Sequence, residues 1–411
     1  QALPILSSDA LSSVAYATEA SLGVLILAGS SALKQSLPIT LAIIALIAIV
    51  VLSYRQAISA YPNGGGSYVV ARENLGRNVS LVAAAALLID YVLTAAVSLM
   101  AGTQALSSLV PSLLPHELSL SLLLLALVGW ANLRGLREAG RVFAIPTYVF
   151  VVMILLLTLV GVTDLSFQHG WTPEPPPLEA ALQPLGLFLI LRAFSSGCSA
   201  MTGIEAISTG VQVFREPAAR NARVTLLVMG GLLAAMLLAV TGLGFMYGIA
   251  PDSQVTVLAQ IGIRVFGSGS ILFWLLQLST LLILVLAANT AFAGFPLLAA
   301  MLAEDKCLPP QMRWLGDRLV YQNGIGVLLA VSALIIWICH GDTTVAVNLY
   351  ALGVFTAFTL SQLGLVLHWW RLRGPGWQGR MLLNALGALS TFVVLLVIIV
   401  SKFTEGAWTV V

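Results

Sequence analysis

Eleven mainly apolar stretches recur along the chain, at 3–27, 37–60, 78–108, 118–134, 141–163, 184–213, 222–248, 268–301, 322–340, 343–368 and 380–401. One helix needs about 20 such residues to cross a bilayer. Of 411 residues, 59% are hydrophobic and only 9% are charged. A water-soluble domain of this size would still need a polar shell. A soluble enzyme and a disordered scaffold are therefore excluded, and the lipid bilayer is the expected surrounding. The net charge of +2 is too small to select a polyanionic partner, so no nucleic acid is expected. Cys198, Cys307 and Cys339 form no CxxC pair, and His116, His169, His340 and His368 fall in loops or near span ends. No disulfide framework, zinc site or cofactor is implied.

A twelfth stretch starts at Phe403 and is truncated at Val411. The first begins as abruptly at Leu3, with no signal-peptide pattern. The expectation is a membrane core whose terminal segments lie beyond this sequence. Lysine and arginine give the orientation. Fifteen of the 19 fall in one set of loops, from Arg55, Arg72 and Arg77 to Arg371, Arg373 and Arg380. The other set holds Lys34, Arg192, Arg264 and Lys402. The bias predicts a multi-pass plasma-membrane protein with a cytoplasmic N-terminus. Residues 164–183, with Pro173, Pro175, Pro176 and Pro177, read as an extended external loop.

Two spans carry small polar patches that a lipid-facing helix does not need. They are Ser7-Ser8-Asp9-Ala10-Leu11-Ser12-Ser13 in span 1 and Ser195-Ser196-Gly197-Cys198-Ser199-Ala200-Met201-Thr202-Gly203 in span 6. Span 6 opens a second set of five. Five is odd, so the second set is inverted relative to the first. Matching interruptions in two inverted halves point to a transport site at mid-membrane. The division follows: 1–163 for the first repeat, 164–183 for the external loop, 184–370 for the second repeat, and 371–411 for span 11 and the start of span 12.

Four of the seventeen acids lie within spans: Asp9, Glu19, Asp90 and Glu205. Each buried acid costs roughly 2.5–3.5 kcal/mol on the insertion scale, so Asp9, Asp90 and Glu205 together cost about 8–10 kcal/mol. That is comparable with the stability of a whole domain. No lysine or arginine lies deep in a span to offset them. These carboxylates therefore take up protons or wait for a cation from solution. Glu19 reads more readily as a structural acid.

Helical spacing sets oxygens beside these acids. Asp90, Thr94 and Ser98 run i, i+4, i+8 along span 3, and Thr202 and Glu205 are i, i+3 in span 6. Tyr16 lies two turns past Asp9. Carboxylate, hydroxyl and phenol oxygens suit a hard alkali cation better than a soft metal. Paired broken helices also carry amino acids, held by free amide groups at helix ends. An ionised Asp9 repels a carboxylate, so an inorganic cation, or else a polyamine, is favoured over a zwitterion. A channel would need a filter motif that is not seen here. No nucleophile–base set accompanies the acids, so an enzyme is not expected.

The stretch Leu3-Pro4-Ile5-Leu6-Ser7-Ser8-Asp9-Ala10-Leu11-Ser12-Ser13-Val14-Ala15-Tyr16-Ala17-Thr18-Glu19 resembles the first helix of KimA-type potassium transporters. These belong to the KUP family, in the amino acid–polyamine–organocation (APC) superfamily. Tyr61-Pro62-Asn63-Gly64-Gly65-Gly66-Ser67-Tyr68 resembles the superfamily's turn after span 2. Ile89-Asp90-Tyr91-Val92-Leu93-Thr94 and Met201-Thr202-Gly203-Ile204-Glu205-Ala206 resemble the family's spans 3 and 6. The resemblance implies an all-α polytopic membrane protein of LeuT/APC-like fold. Its marks are a 5+5 inverted repeat, broken helices 1 and 6 and about 12 transmembrane helices. It also implies potassium uptake coupled to proton entry. On matching positions Asp9 and Tyr16 bind the ion toward the outside. Asp90, Tyr91 and Thr94 continue the path, Thr202 and Glu205 line its inner part, Tyr350 joins it from span 10, and Glu205 carries the proton. A homodimer is implied as well. Cyclic-dinucleotide regulation is implied only through a C-terminal domain that this sequence does not include.

Overall fold

Helices whose surroundings are lipid should turn their largest apolar side chains outward and keep their polar groups inside. The computed structural model follows that rule. It describes residues 7–62, 64, 66–135, 140–316 and 320–402. Leu127, Leu155, Leu159, Leu282 and Leu389 stand exposed on the outer faces, while Asp9, Thr94, Ser98, Thr202, Glu205 and Gln362 are buried.

The chain is helical, with no strand among the described residues. Span 1 is α1 (Ser8–Ser12) followed by α2 (Val14–Leu25), and span 2 is α3 (Ser36–Ala60). A short α4 (Ser67–Asn74) leads into α5 (Arg77–Leu109), which is span 3. Spans 4 and 5 are α6 (Glu117–Leu133) and α7 (Gly140–Asp164). Span 6 is divided between α8 (Leu187–Gly197) and α9 (Ile204–Thr209). Then come α10 (Ala218–Met246), a short α11 (Val257–Phe266), α12 (Ile271–Glu304), α13 (Gln322–Ile338), α14 (Thr343–Leu372) and α15 (Trp377–Lys402). Among the described residues nine helical segments are long and apolar enough to cross a membrane. Spans 1 and 9 give shorter apolar helices, Val14–Ala28 and Gln322–Ile338. The expected twelfth span, from Phe403, lies outside the described residues.

Local chemistry explains several boundaries. Asp342 starts α14 by accepting the Thr344 N–H at 2.8 Å, and Ser270 starts α12 by accepting that of Phe273 at 3.1 Å. Thr256 does the same for α11 through Ala259, at 3.3 Å. The sequence reading missed α4 and α11, because neither helix is long enough to register in a 20-residue apolar window. Residues 170–186 are irregular chain, and the preceding turn, Leu165–His169, is helical.

The two interruptions differ. In span 1 the serine patch is helical, and Ser13 itself keeps helical dihedrals (φ −61°, ψ −21°). Ser12 and Ser13 donate to the carbonyls of Asp9 and Ala10, at 2.8 and 2.6 Å. The hydroxyls bond the preceding turn instead of unwinding it, so the predicted unwinding over Ser7–Ser13 is corrected to a single weak point. In span 6 the break is complete. A tight turn at Cys198–Met201 leads to extended Thr202 (ψ 154°) and left-handed Gly203 (φ 74°, ψ −8°), after which α9 begins.

Residues assigned to one side of the membrane meet on one side. At the basic-rich end Arg72 pairs with Asp305 at 2.5 Å, and Arg371 reaches the Asn74 carbonyl at 3.4 Å. At the opposite end Arg264 pairs with Glu174 at 2.5 Å, and the Leu182 N–H reaches the Leu27 carbonyl at 2.9 Å.

Candidate functional site

The break in span 6 is packed against the start of span 1. A Cβ on Gly203 would come within 2.8 Å of the Cβ and Cγ of Asp9 and 2.7 Å of the Ala10 nitrogen. Only a glycine allows that approach, and it also tolerates the positive φ. Ser13 adds a direct tie: its one hydroxyl proton is shared between the Ala10 carbonyl and the Ala200 carbonyl, the latter at 2.9 Å. That carbonyl belongs to the turn before the break, where the helix leaves such groups without partners. Ser13→Ala should lower the protein's stability by about 1 kcal/mol, read as a reduced thermal midpoint; an unchanged midpoint would remove this tie from the account.

The chain arrangement sets Asp9 in the first turn of α1 and Glu205 in the first turn of α9. Asp90 and Tyr91 come from the middle of the unbroken α5. All four line one cavity of about 540 Å³, with Ser8 and Gly203 beside them. The cavity continues past Asn289 and Thr290 to Thr209, Gly210 and Tyr321, near the basic-rich end of the bundle. Asn132 and Asn289, both on its wall, are joined by a 2.7 Å hydrogen bond.

Sequence spacing placed eight residues on one path, and the structure divides them. Asp9, Asp90, Tyr91 and Glu205 line the cavity. Tyr16, Thr94, Thr202 and Tyr350 are not among its lining residues, and their hydroxyls form one linked cluster, because Tyr350 also bonds Tyr16 and Thr202. Tyr16 and Thr202 join span 1 to span 6 at 3.4 Å, and Thr94 and Tyr350 join span 3 to span 10 at 2.5 Å. The predicted helical i, i+3 relation of Thr202 to Glu205 does not hold, because extended Thr202 and left-handed Gly203 lie between two helices. The Asp90–Thr94–Ser98 stripe does hold, since α5 is continuous. Glu19 instead accepts the Val257 N–H at 3.3 Å, at the start of α11.

The acids are satisfied unequally. One oxygen of Asp9 and one of Asp90 (Oδ1 in each) are buried without a hydrogen-bond partner. Among the described residues neither acid is in an ion pair, and the pairs Arg72–Asp305 and Arg264–Glu174 lie far along the chain at the two ends. Glu205 is the opposite case. Its Oε1 accepts the Ser67 N–H at 2.5 Å, and its Oε2 accepts the hydroxyls of Ser67 at 2.8 Å and Tyr54 at 3.1 Å. Neither Tyr54 nor Ser67 was singled out in the sequence, although Ser67 directly follows the Gly-rich turn and Tyr54 is a phenol within an apolar run. Among the described residues no three histidine, cysteine or acidic side chains converge as a metal centre. Any ion held here would use hydroxyl and carbonyl oxygens along with the carboxylates.

A polytopic helical bundle with a broken helix over a buried, acid-lined cavity defines a membrane permease. The chain belongs to the amino acid permease family, whose model matches residues 8–409. It is also 45% identical, over 406 residues, to the potassium transporter KimA of Bacillus subtilis (strain 168). That match covers 98% of this chain and 66% of the relative, so the chain spans just under two thirds of KimA's length.

Proposed function

We propose that the protein imports potassium together with protons by alternating access, as a KUP-type member of its family. It would act in the plasma membrane as a homodimer, with its N-terminus in the cytoplasm. One observation carries this reading: two carboxylates, buried Asp9 and half-buried Asp90, border one cavity, each with a buried oxygen that lacks a donor. A carboxylate in an apolar medium without a cationic partner is a costly state, and a small cation relieves it. The similarity to the potassium transporter KimA supports potassium as that cation.

In the proposed cycle, potassium arrives from outside and exchanges its water for oxygens of Asp9, Tyr16, Asp90, Tyr91 and Thr94. The linked hydroxyls of Tyr16, Thr202, Tyr350 and Thr94 part to admit it and close behind it. Glu205 takes the proton, the repeats 1–163 and 184–370 rock, and both cations leave toward the basic-rich end. Each charge moved inward gains about 2.3 kcal/mol per 100 mV. Two charges gain about 4.6 kcal/mol, enough for roughly a thousandfold accumulation or more. A uniporter would have half of that driving energy. The test is potassium uptake by cells lacking their own importers, with and without a proton uncoupler. Uptake that ignores the uncoupler from the start rules out symport. Glu205→Gln should stop transport or free it from the proton gradient, and proton-coupled flux at the parental rate would remove Glu205 from the coupling step.

A second reading has its own support. The family is described by amino acid transport, and the cavity, walled also by Leu286, Phe292 and Ile325, is roomier than a bare ion needs. A proton-coupled amino acid or polyamine permease is the alternative. Proteoliposomes that take up labelled amino acids or polyamines but no rubidium would favour it.

A further inference from the structure

Glu205 borders the same cavity as Asp9 and Asp90, but its charge is already engaged. Ser67 opens α4, so its N–H is one of those a helix leaves without an internal acceptor. Glu205 Oε1 takes that N–H, and Oε2 takes the hydroxyls of Ser67 and Tyr54. The arrangement is held firmly. Tyr54 is fully buried, with its ring edge-on to Phe358 at 5.5 Å between centroids. Gly66 brings the turn so close that a Cβ there would stand 3.3 Å from Oε1 of Glu205 and 2.7 Å from the Thr209 hydroxyl. Charge-assisted hydrogen bonds are among the strongest a protein makes. A carboxylate with three donors is accordingly a poorer ligand for a passing cation than one with a bare oxygen.

We propose that Tyr54 and Ser67 are positioning residues that hold Glu205 off the ion path, leaving the ion to Asp9 and Asp90 in this conformation. The cavity extends toward the basic-rich end here, so this is the arrangement from which an imported ion departs. Once Glu205 has given up its proton on this side, a third free carboxylate would hold the ion back, and the three donors of Tyr54 and Ser67 prevent that. The inference rests on the potassium-import reading and adds two residues to it, on α3 and α4, that set how tightly the ion is held before release.

The test uses the purified full-length protein and rubidium as the probe, with equilibrium binding and proteoliposome uptake measured side by side. Tyr54→Phe keeps the ring and its packing, and Ser67→Ala keeps the backbone N–H; each removes one hydroxyl donor. Each should tighten rubidium binding by about tenfold, the worth of one hydrogen bond to a charged group, and lower the maximal uptake rate. In a Glu205→Gln background the same substitutions should leave rubidium binding unshifted. A purely structural role predicts weaker or unchanged binding with less folded protein, and that result overturns the inference. So does tightening that persists without the Glu205 carboxylate. A parental protein that neither binds nor takes up rubidium overturns the import reading, and this inference with it. A parent that transports, with variants unshifted in binding, overturns the inference alone.

Discussion

The Asp9→Asn variant is expected to reach the membrane folded and to take up no potassium or rubidium above background. Its effect on transport follows from one charge. At about 4 Å and an effective dielectric near 20, a carboxylate and a monovalent cation attract by about 4 kcal/mol. Losing that weakens ion binding by roughly three powers of ten. Its effect on stability has the opposite sign. Asp9 is buried, its Oδ1 has no donor, and no lysine or arginine is paired with it among the described residues. A neutral amide of the same size breaks no ion pair and removes a desolvated charge, so the thermal midpoint should hold or rise. Asp90→Asn should behave alike, because Asp90 stands mid-way along an unbroken helix with a bare oxygen of its own. Uptake by rubidium-fed cells and thermal unfolding of the purified variants check the two halves separately. Parental uptake by either variant ends the two-carboxylate account. Loss of uptake with a sharply lowered midpoint would instead make the acid a structural one.

How much of this was legible beforehand depended on the physical scale of each feature. Long apolar runs separate helices whatever their packing, so α3, α5, α10, α12 and α15 fall where the runs do. Short helices answer to local capping, and α4 and α11 were invisible to a 20-residue window for that reason. The acids were legible because a carboxylate in a span is costly anywhere in the span. Their division into roles was not. Nothing in the sequence around Glu205 says that Ser67, 138 residues away, offers it both a backbone and a side-chain donor. That contact depends on Gly64 and Gly66 lying close against Thr209 of α9. The serine patch of span 1 misled in an instructive way. Serines mark both unwound helix and helix whose hydroxyls bond back to the previous turn, and composition does not distinguish the two. In span 6 the discriminating residue was Gly203, one of two glycines among nine patch residues, because left-handed backbone is what ends a helix in mid-membrane, whereas Gly197 keeps helical dihedrals.

Gly203→Ala should therefore damage both stability and transport. Two costs add. A non-glycine residue in the left-handed region costs roughly 1–2 kcal/mol. The new methyl would also stand 2.7 Å from the Ala10 nitrogen and 2.8 Å from Cβ and Cγ of Asp9, inside van der Waals contact. Those atoms belong to the first turn of α1 and to the root of a short side chain, so they do not swing aside as the tip of a lysine would. Overpacking of this kind costs about 1–3 kcal/mol, which makes the total roughly 2–5 kcal/mol. The relief available is to separate span 1 from the break. That displaces Asp9 from Glu205 and draws Thr202 away from Tyr16, so transport should be lost even in protein that stays folded. Gly231→Ala on α10 is the matched control. Nothing lies within 4 Å of a Cβ there, and alanine favours the helix by about 1 kcal/mol, so uptake should persist with an equal or higher midpoint. Thermal unfolding and rubidium uptake of the two alanine variants, measured together, decide the matter: a Gly203→Ala protein that transports and unfolds like its parent would mean the break does not need the close approach to Asp9 from which the site is built.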